Sequence, residues 1–368
     1  MRGMVHLGGG EVVVTDELEV RGPRPTEVTV RLAAAGVCHS DLSVLDGTIP
    51  FPTPVVCGHE GAGIVEEVGS AVRGVAPGDH VVVSTIANCG QCPACAAGFP
   101  TRCRTSIGNI GRPFTFRGEP AYNFAATSSF AEMTVVKEVQ AVPIDKEVPL
   151  TSACLIACGV VTGMGSVFNR ANVQPGDNVA VFGAGGVGLS TIQALRIKAA
   201  NHIIAVDTVQ SKGELALQLG ATHFINAAET NPVEAIKELL PFSPDMPDGP
   251  FGAGGVNWSF ECVGHPAVTE QAVMCLDWGG VCVQVGVPAP GVTYAIPITH
   301  LTQVDRGIIG SRAGGVRAQR DIPVIVDLYK KGLLDLDSMV SKTYPLEDFH
   351  TVVEDMHHGT LARGVLTF

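Results

Sequence analysis

Residues 178–200, "NVAVFGAGGVGLSTIQALRIKAA", limit the possible folds more than any other stretch of the chain. An uncharged apolar run reads as a strand buried on both faces. A glycine loop follows at once, and a helix opens from the loop. The pattern then repeats. "HIIAVDTV" reads as a strand, "SKGELALQLGA" as a helix ending at Gly220, and "THFIN", "VNWSFECVG" and "GVCVQVGVP" as further strands. Apolar strands alternating with helices predict an α/β fold with a parallel sheet. This block runs to about residue 309. Within it, "PFSPDMPDGPFGAGG" at 241–255 holds four prolines and four glycines and reads as an exposed excursion of no assigned function.

The chain has 368 residues, enough for two domains. It is 46% hydrophobic but only 5% aromatic, so its cores must be built from Val, Ala, Ile and Leu. The first ~150 residues alternate short β-type runs with Gly/Pro turns. "EVTVRLAAAGV", "GAGIVEEVG" and "DHVVVSTI" read as strands of a mainly antiparallel domain. "VAPGDHV" at 75–81 and "VQPGDNV" at 173–179 are two Pro-Gly-Asp turns that each feed a strand. The last residues hold an amphipathic helix, "DIPVIVDLYKKGLL", and a terminal strand, "GVLTF".

"GAGGVG" sets Gly183, Gly185 and Gly188 in the spacing GxGxxG, with Gly186 and Val187 between them. In a glycine-rich chain the spacing alone is weak and fits a simple tight turn. Its place between a strand and a helix is what raises it to a dinucleotide fingerprint. The first glycine allows the turn, the second lets backbone approach a pyrophosphate, and the helix N-terminus offers unpaired N–H groups. Asp207 ends the next strand, 19 residues beyond Gly188. A carboxylate there accepts from both ribose hydroxyls and repels a 2′-phosphate, which predicts NAD over NADP. Lys212 either borders the same ribose or is a solvated helix start.

Acids outnumber bases by 36 to 24, which excludes a nucleic-acid partner for lack of a basic face. "MRGMVHLGGGEVVV" lacks the apolar core of a signal peptide. The long uncharged run in the middle of the chain, "TSACLIACGVVTGMGSVFN", is broken by glycines and polar residues, so no membrane span is expected. A cytoplasmic location with reduced thiols follows, and eleven cysteines, an odd number, fit a closed disulfide set poorly.

Cys89, Cys92, Cys95 and Cys103 lie three, three and eight residues apart in "NCGQCPACAAGFPTRC", residues 88–103. A disulfide disagrees with a reducing compartment, and a redox CxxC lacks its fold context. Four thiolates wrapped on one tetrahedral zinc remain, with no open position for substrate, so this zinc is expected to be structural. Cys38 in "AAGVCHSDL", His59 in "VVCGHEGAGIV" and Cys158 in "LIACGVVTGMG" are far apart. Spacing alone does not join them: a lone Cys is usually buried packing, and a lone His a satisfied turn residue.

"AAGVCHSDL", "GHEGAGIVEEVG", the cysteine lobe, "ACGVVTGMG", "VFGAGGVGLS", "FECVG" and "RGVLTF" together resemble a zinc-dependent alcohol dehydrogenase of the medium-chain dehydrogenase/reductase superfamily, in its NAD-linked, animal-type and class III branch. The resemblance spans nearly the whole chain. It implies a GroES-like catalytic domain over 1–159 and 310–368, and a doubly wound Rossmann coenzyme domain over 160–309. It implies a catalytic zinc on Cys38, His59 and Cys158, with one open position that makes the site a Lewis acid. Ser40 matches the hydroxyl that takes the alcohol proton, Asp41 the carboxylate that orients His59, and Glu60 the acid behind the zinc. Thr162 and Val187 match residues on the nicotinamide ring, and cofactor contacts also fall to Val263, Val285 and Val287. His39 and Arg363 match the pyrophosphate positions. Ser43 stands where many relatives carry a proton-relaying His, and His39 replaces an Arg of some relatives with a weaker, titratable partner.

The expected function is reversible hydride transfer between a primary alcohol and NAD, giving the aldehyde and NADH, in a largely apolar cleft. The alternative is a thiol-dependent formaldehyde dehydrogenase acting on S-hydroxymethyl adducts. Residues 104–127 look shorter than in class III enzymes; Arg104, Arg112 and Arg117 supply local positive charge there, and none of them is assigned to the adduct contact. A zinc-free quinone reductase or structural homologue ranks below both, because all seven ligand candidates are present. By analogy a homodimer is expected, with the edge strand in "GVCVQVGVPAPGVTYAIPI".

Overall fold

A computed structural model describes residues 1–106, 110–241, 254–359 and 361–368. The excursion at 241–255 falls almost wholly outside the described residues. The chain divides into one unit of Met1–Val161 with Val316–Phe368 and a second of Thr162–Gly315.

The first unit is organised by one long strand, Glu27–Val37. Val28, Val30 and Leu32 alternate into a core with Val65, Val81, Val83 and Val136. Its end, Ala35 and Val37, packs on another core with Met4, Phe130 and Phe349. Aliphatic residues do supply most of the packing, as the scarcity of aromatics requires. The strand pairs antiparallel with Glu60–Val68, with Met133–Lys137 and with the C-terminal Arg363–Thr367. Pairing is mainly antiparallel; among the described residues, parallel pairs occur only at Val55–Val56 against Glu119–Asn123 and at Val340–Pro345 against Arg363–Thr367. Register decides what gathers at one end. Gly36 opposes Glu60, and Val37 opposes Gly364. Cys38, Glu60 and Arg363 therefore arrive at the same level of three neighbouring strands.

The second unit is a six-stranded parallel sheet in the order His223–Asn226, Ile203–Asp207, Val179–Phe182, Val256–Glu261, Leu276–Gln284, Gly307–Gly310. In chain order this is 3-2-1-4-5-6, the doubly wound arrangement. Helix Gly186–Ile197 follows the first strand and Gln210–Leu219 the second. Gly220 ends the latter at φ +121°, a conformation glycine supplies without strain. One expectation needs correcting. In this sheet the outer strand on that side is Gly307–Gly310, and Leu276–Gln284 lies inside it. Residues 285–297 carry no strand in the single chain, because Pro288, Pro290 and Pro297 cannot donate to a ladder. Among the described residues, no single helix is long and apolar enough to cross a membrane.

Candidate metal centres and nucleotide loop

Cys38 leaves its strand and caps helix His39–Leu45. The helix's first turn carries Asp41, which is fully buried. Its Oδ2 accepts from the Cys38 N–H at 3.0 Å, and its Oδ1 lies 2.9 Å from His59 Nδ1. That partner makes Nδ1 the donor and leaves Nε2 with a free lone pair. Nε2 is buried and has no hydrogen-bond partner. The ligand atoms of Cys38, His59, Glu60 and Cys158 all lie within 4.8 Å of one another. A buried imidazole nitrogen without a partner, aimed among two sulfurs, is what a metal would complete. Hydrogen bonding from Cys158 and the neighbouring His59 hold the Cys38 thiol well below its usual range.

Glu60 is fully buried behind this group. Its Oε1 accepts from Gly159 N–H at 3.0 Å, and its Oε2 is paired with Arg363. Burial pushes Glu60 up to about 7 against the pull of Arg363. Room for Glu60 depends on Gly36, where a Cβ would stand 2.2 Å from Oε2 and 3.0 Å from Leu155. Arg363, expected at the pyrophosphate, is only 6% exposed and lies against Glu60. Ser40 is half-buried and His39 exposed in the first turn of the Cys38 helix, with Ser43 one turn on. Sequence reasoning did not reach the aromatic wall. Phe124 meets the His59 ring edge-on at 5.5 Å, and Phe51 meets Phe124 at 5.3 Å. No spacing rule marks those two phenylalanines, since only the tertiary fold brings Phe124 to His59 and Phe51 to Phe124. Of the three arginines, Arg117 is paired with Glu17 at 2.7 Å, Arg112 stacks on Tyr122 at 4.1 Å, and Arg104 is exposed.

Cys89, Cys92, Cys95 and Cys103 form the second group, with all four sulfurs within 4.8 Å of one another. Zinc bonded to four sulfurs at about 2.3 Å would space them by about 3.8 Å. The observed Cys92–Cys95 and Cys103–Cys89 separations are 3.5 and 3.7 Å, and every cysteine in the set is free. Backbone N–H groups of Cys92 and Cys89 already point at Cys89 and Cys103 Sγ, at 3.3 and 3.5 Å. The Thr105 hydroxyl and the N–H groups of Cys89 and Thr105 lower the Cys103 thiol to about 5. The donors fit a closed, four-sulfur zinc.

In the second unit, Gly183 adopts φ +93°, and a Cβ on Gly188 would strike Gly183 O at 1.7 Å. Both glycines are thus required for the helix to start so close to the strand. Gly185 is the N-cap and contributes no side-chain cap, leaving the helix N–H groups for a ligand. Nothing lies within 4 Å of where a Gly185 Cβ would be. Asp207 Oδ2 accepts from Ala184 N–H at 2.8 Å and Oδ1 from Val209 N–H at 3.0 Å, which fixes the carboxylate beside the loop. Lys212 is half-buried in the next helix. Gly163 lets helix Gly159–Gly165 pack on the loop's helix, since its Cβ would come within 2.4 Å of Val187 O. Val263 and Val287 are 51% and 71% exposed, and Val285 is buried. The loop fits a dinucleotide.

Two family models match the chain. One described as "Alcohol dehydrogenase GroES-like domain" covers residues 24–146, and one described as "Zinc-binding dehydrogenase" covers 186–331. The S-(hydroxymethyl)glutathione dehydrogenase of Escherichia coli is 37% identical over 100% of this chain and 99% of its own. That of Saccharomyces cerevisiae is 36% identical over 95% of this chain and 92% of its own. Among solved structures, benzyl alcohol dehydrogenase from Acinetobacter calcoaceticus superposes with a TM-score of 0.90 at 34% identity, over 100% of this chain and 99% of that one. An alcohol dehydrogenase zinc-binding domain protein from Burkholderia ambifaria gives 0.91 at 36%, over 100% and 98%. A fold of this kind with two thiol-rich metal centres defines a zinc-binding oxidoreductase. The chain belongs to the zinc-dependent alcohol dehydrogenases of the medium-chain dehydrogenase/reductase superfamily.

Proposed function

We propose that the protein oxidises a hydroxymethyl group with NAD, at Cys38, His59 and Cys158, and that its leading substrate is the S-hydroxymethyl adduct of a low-molecular-weight thiol. The observation that carries the site is the unpartnered, buried Nε2 of His59 between two thiols. When bound, zinc supplies Lewis-acid polarisation of the substrate oxygen and the nicotinamide supplies the hydride acceptor. The chain's own residues do the rest. Asp41 holds the His59 tautomer, Glu60 and Arg363 neutralise each other behind the thiols, and Ser40 is the candidate to receive the hydroxyl proton. Asp207 supports NAD over NADP, because its carboxylate is held in place by two backbone N–H groups. Cys89, Cys92, Cys95 and Cys103 hold a second, structural zinc.

Sequence reasoning ranks free alcohols first. The names of the full-length curated relatives favour the thiol adduct instead. Free aromatic or aliphatic primary alcohols remain the second reading, favoured by Phe124 beside His59, with Phe51 against Phe124, and by the benzyl alcohol dehydrogenase neighbour. NADH formation is the test, measured on benzyl alcohol, octanol and formaldehyde, each with and without glutathione. Turnover of formaldehyde only with thiol supports the adduct; turnover of alcohols alone overturns it in favour of the second reading.

A cytoplasmic homodimer completes the proposal. Free cysteines support the compartment. Val292, Tyr294 and Ile298, 43%, 42% and 73% exposed after the strand Leu276–Gln284, support a covered face, which sedimentation would test.

A further inference from the structure

Residues 124–130 run against the segment that delivers His59, and buried hydroxyl groups help to make the junction. Ser129 N–H donates to Gly58 O at 2.9 Å, and Phe130 N–H to Cys57 O at 3.0 Å. The approach is close: Gly58 adopts φ +88°, and a Cβ there would stand 2.5 Å from Phe130 N. Thr127 Oγ1 lies 3.3 Å from Gly58 O and 3.2 Å from Phe124 O. Ser128 Oγ donates to Val56 O at 2.7 Å and accepts the Phe124 N–H at 3.0 Å. One hydroxyl thus ties the strand Val55–Val56, which leads to His59, to the residue whose ring meets the imidazole edge-on at 5.5 Å. Thr127, Ser128 and Ser129 are fully buried, so water does not compete for these bonds.

The turn that carries Phe124 is strained. Ala125, Ala126 and Ser128 adopt φ of +51°, +58° and +50°, a region that a residue with a Cβ enters at a cost and glycine does not. Such backbone persists only where its surroundings hold it. Here the buried Gln140 amide donates to Ala126 O at 3.0 Å, and the buried Thr134 hydroxyl donates to Thr127 O. At position 128 a glycine would take the same conformation without that cost, but it would have no hydroxyl to offer.

We propose that Ser128 is a positioning residue for the metal centre: its hydroxyl sets the segment that carries His59 against the turn that carries Phe124, so that the ring holds the imidazole with Nε2 among the thiols. Asp41 fixes the tautomer of His59, and Ser128 fixes the place from which the imidazole reaches. The proposal rests on the metal site proposed above. Its consequence is a split that a general packing role does not produce: losing the hydroxyl loosens the zinc and slows turnover even where the stability of the fold is restored.

The test compares zinc-loaded wild type, Ser128→Ala, Ser128→Gly and Ala126→Gly. Three quantities are read: the melting temperature, the rate of zinc loss to a chelator, and kcat for NADH formation on the substrate that the wild type turns over best. The zinc followed is the equivalent whose release abolishes turnover. Ser128→Ala is expected to melt lower, to lose this zinc roughly tenfold faster and to turn over roughly tenfold more slowly. In Ser128→Gly the relaxed φ offsets the lost hydrogen bond, so the melting temperature returns to within about 3 °C of wild type while zinc loss and turnover stay as poor. Ala126→Gly gains the same backbone freedom and keeps the hydroxyl, so its zinc loss and turnover stay within about twofold of wild type. Zinc loss and turnover that follow the melting temperature across the variants, that do not change in Ser128→Ala, or that change as much in Ala126→Gly overturn the proposal. Wild-type turnover that survives removal of both zinc ions overturns the metal site itself, and this proposal with it. If Ser128→Ala does not fold, Ser128→Gly against Ala126→Gly decides by the same measurements.

Discussion

Asp41 and His59 stand 18 positions apart and meet through a 2.9 Å hydrogen bond between side chains that are 0% and 4% exposed. The carboxylate takes Nδ1 and thereby commits Nε2 to the thiol group. Asp41→Asn keeps the shape and removes the charge. It is expected to weaken zinc at Cys38, His59 and Cys158 and to lower turnover by roughly 10–100-fold. Metal analysis should show zinc falling from two towards one per chain, with the loss reversed by added zinc. An unchanged content and rate would mean that Asp41 does not orient His59.

The cysteine lobe should separate from catalysis. Cys103→Ser leaves three sulfurs and a poorer closed site. The expected outcome is loss of one zinc per chain and a melting temperature lower by roughly 5 °C or more. Rate per remaining catalytic zinc, measured below that temperature, should change little. A variant that keeps two zinc ions would contradict the four-sulfur assignment.

Gly36 is small because Glu60 occupies its space. Gly36→Ala puts a methyl 2.2 Å from Glu60 Oε2 in a strand that cannot move freely. Overpacking of this kind costs about 1–3 kcal/mol. Urea titration should show a lower midpoint with an unchanged slope, and turnover should fall as Glu60 is displaced from Arg363.

Asp207 discriminates between cofactors through charge. Asp207→Asn keeps the shape, leaves one oxygen for the two N–H groups of Ala184 and Val209, and removes the repulsion of a 2′-phosphate. The ratio of kcat/KM for NAD to that for NADP is expected to drop by roughly 10-fold or more. A ratio that does not move would place the adenosine ribose elsewhere.

Ser43 stands one helical turn beyond Ser40 and offers no strong base. If the proton leaves without help from position 43, Ser43→Ala retains turnover within about twofold. A drop of tenfold or more would instead make the Ser43 hydroxyl part of the path.

Reading the sequence reached the parts whose chemistry is local. Four cysteines within "NCGQCPACAAGFPTRC" lie close enough to share one ion, so a closed metal site is legible from their spacing once a disulfide is set aside. The glycine loop between Val179–Phe182 and Gly186–Ile197, and Asp207 at the end of the next strand, are likewise short-range patterns. The outer strand of the parallel sheet was less legible. Apolar strands buried on both faces look alike in sequence, so nothing local marks Gly307–Gly310 rather than a later part of 280–298 as the margin.

The sequence by itself determined the doubly wound block, the four-sulfur lobe and the acid after the glycine loop, because each depends on neighbours within a few tens of residues. Tertiary structure alone decided the rest. It joined Cys38 and His59 to Cys158, buried Arg363 against Glu60 across 303 positions, and set Phe124 beside the imidazole with Phe51 against Phe124. Strand register is the physical reason. Gly36 faces Glu60 and Val37 faces Gly364, so residues distant in the chain reach one level of one sheet.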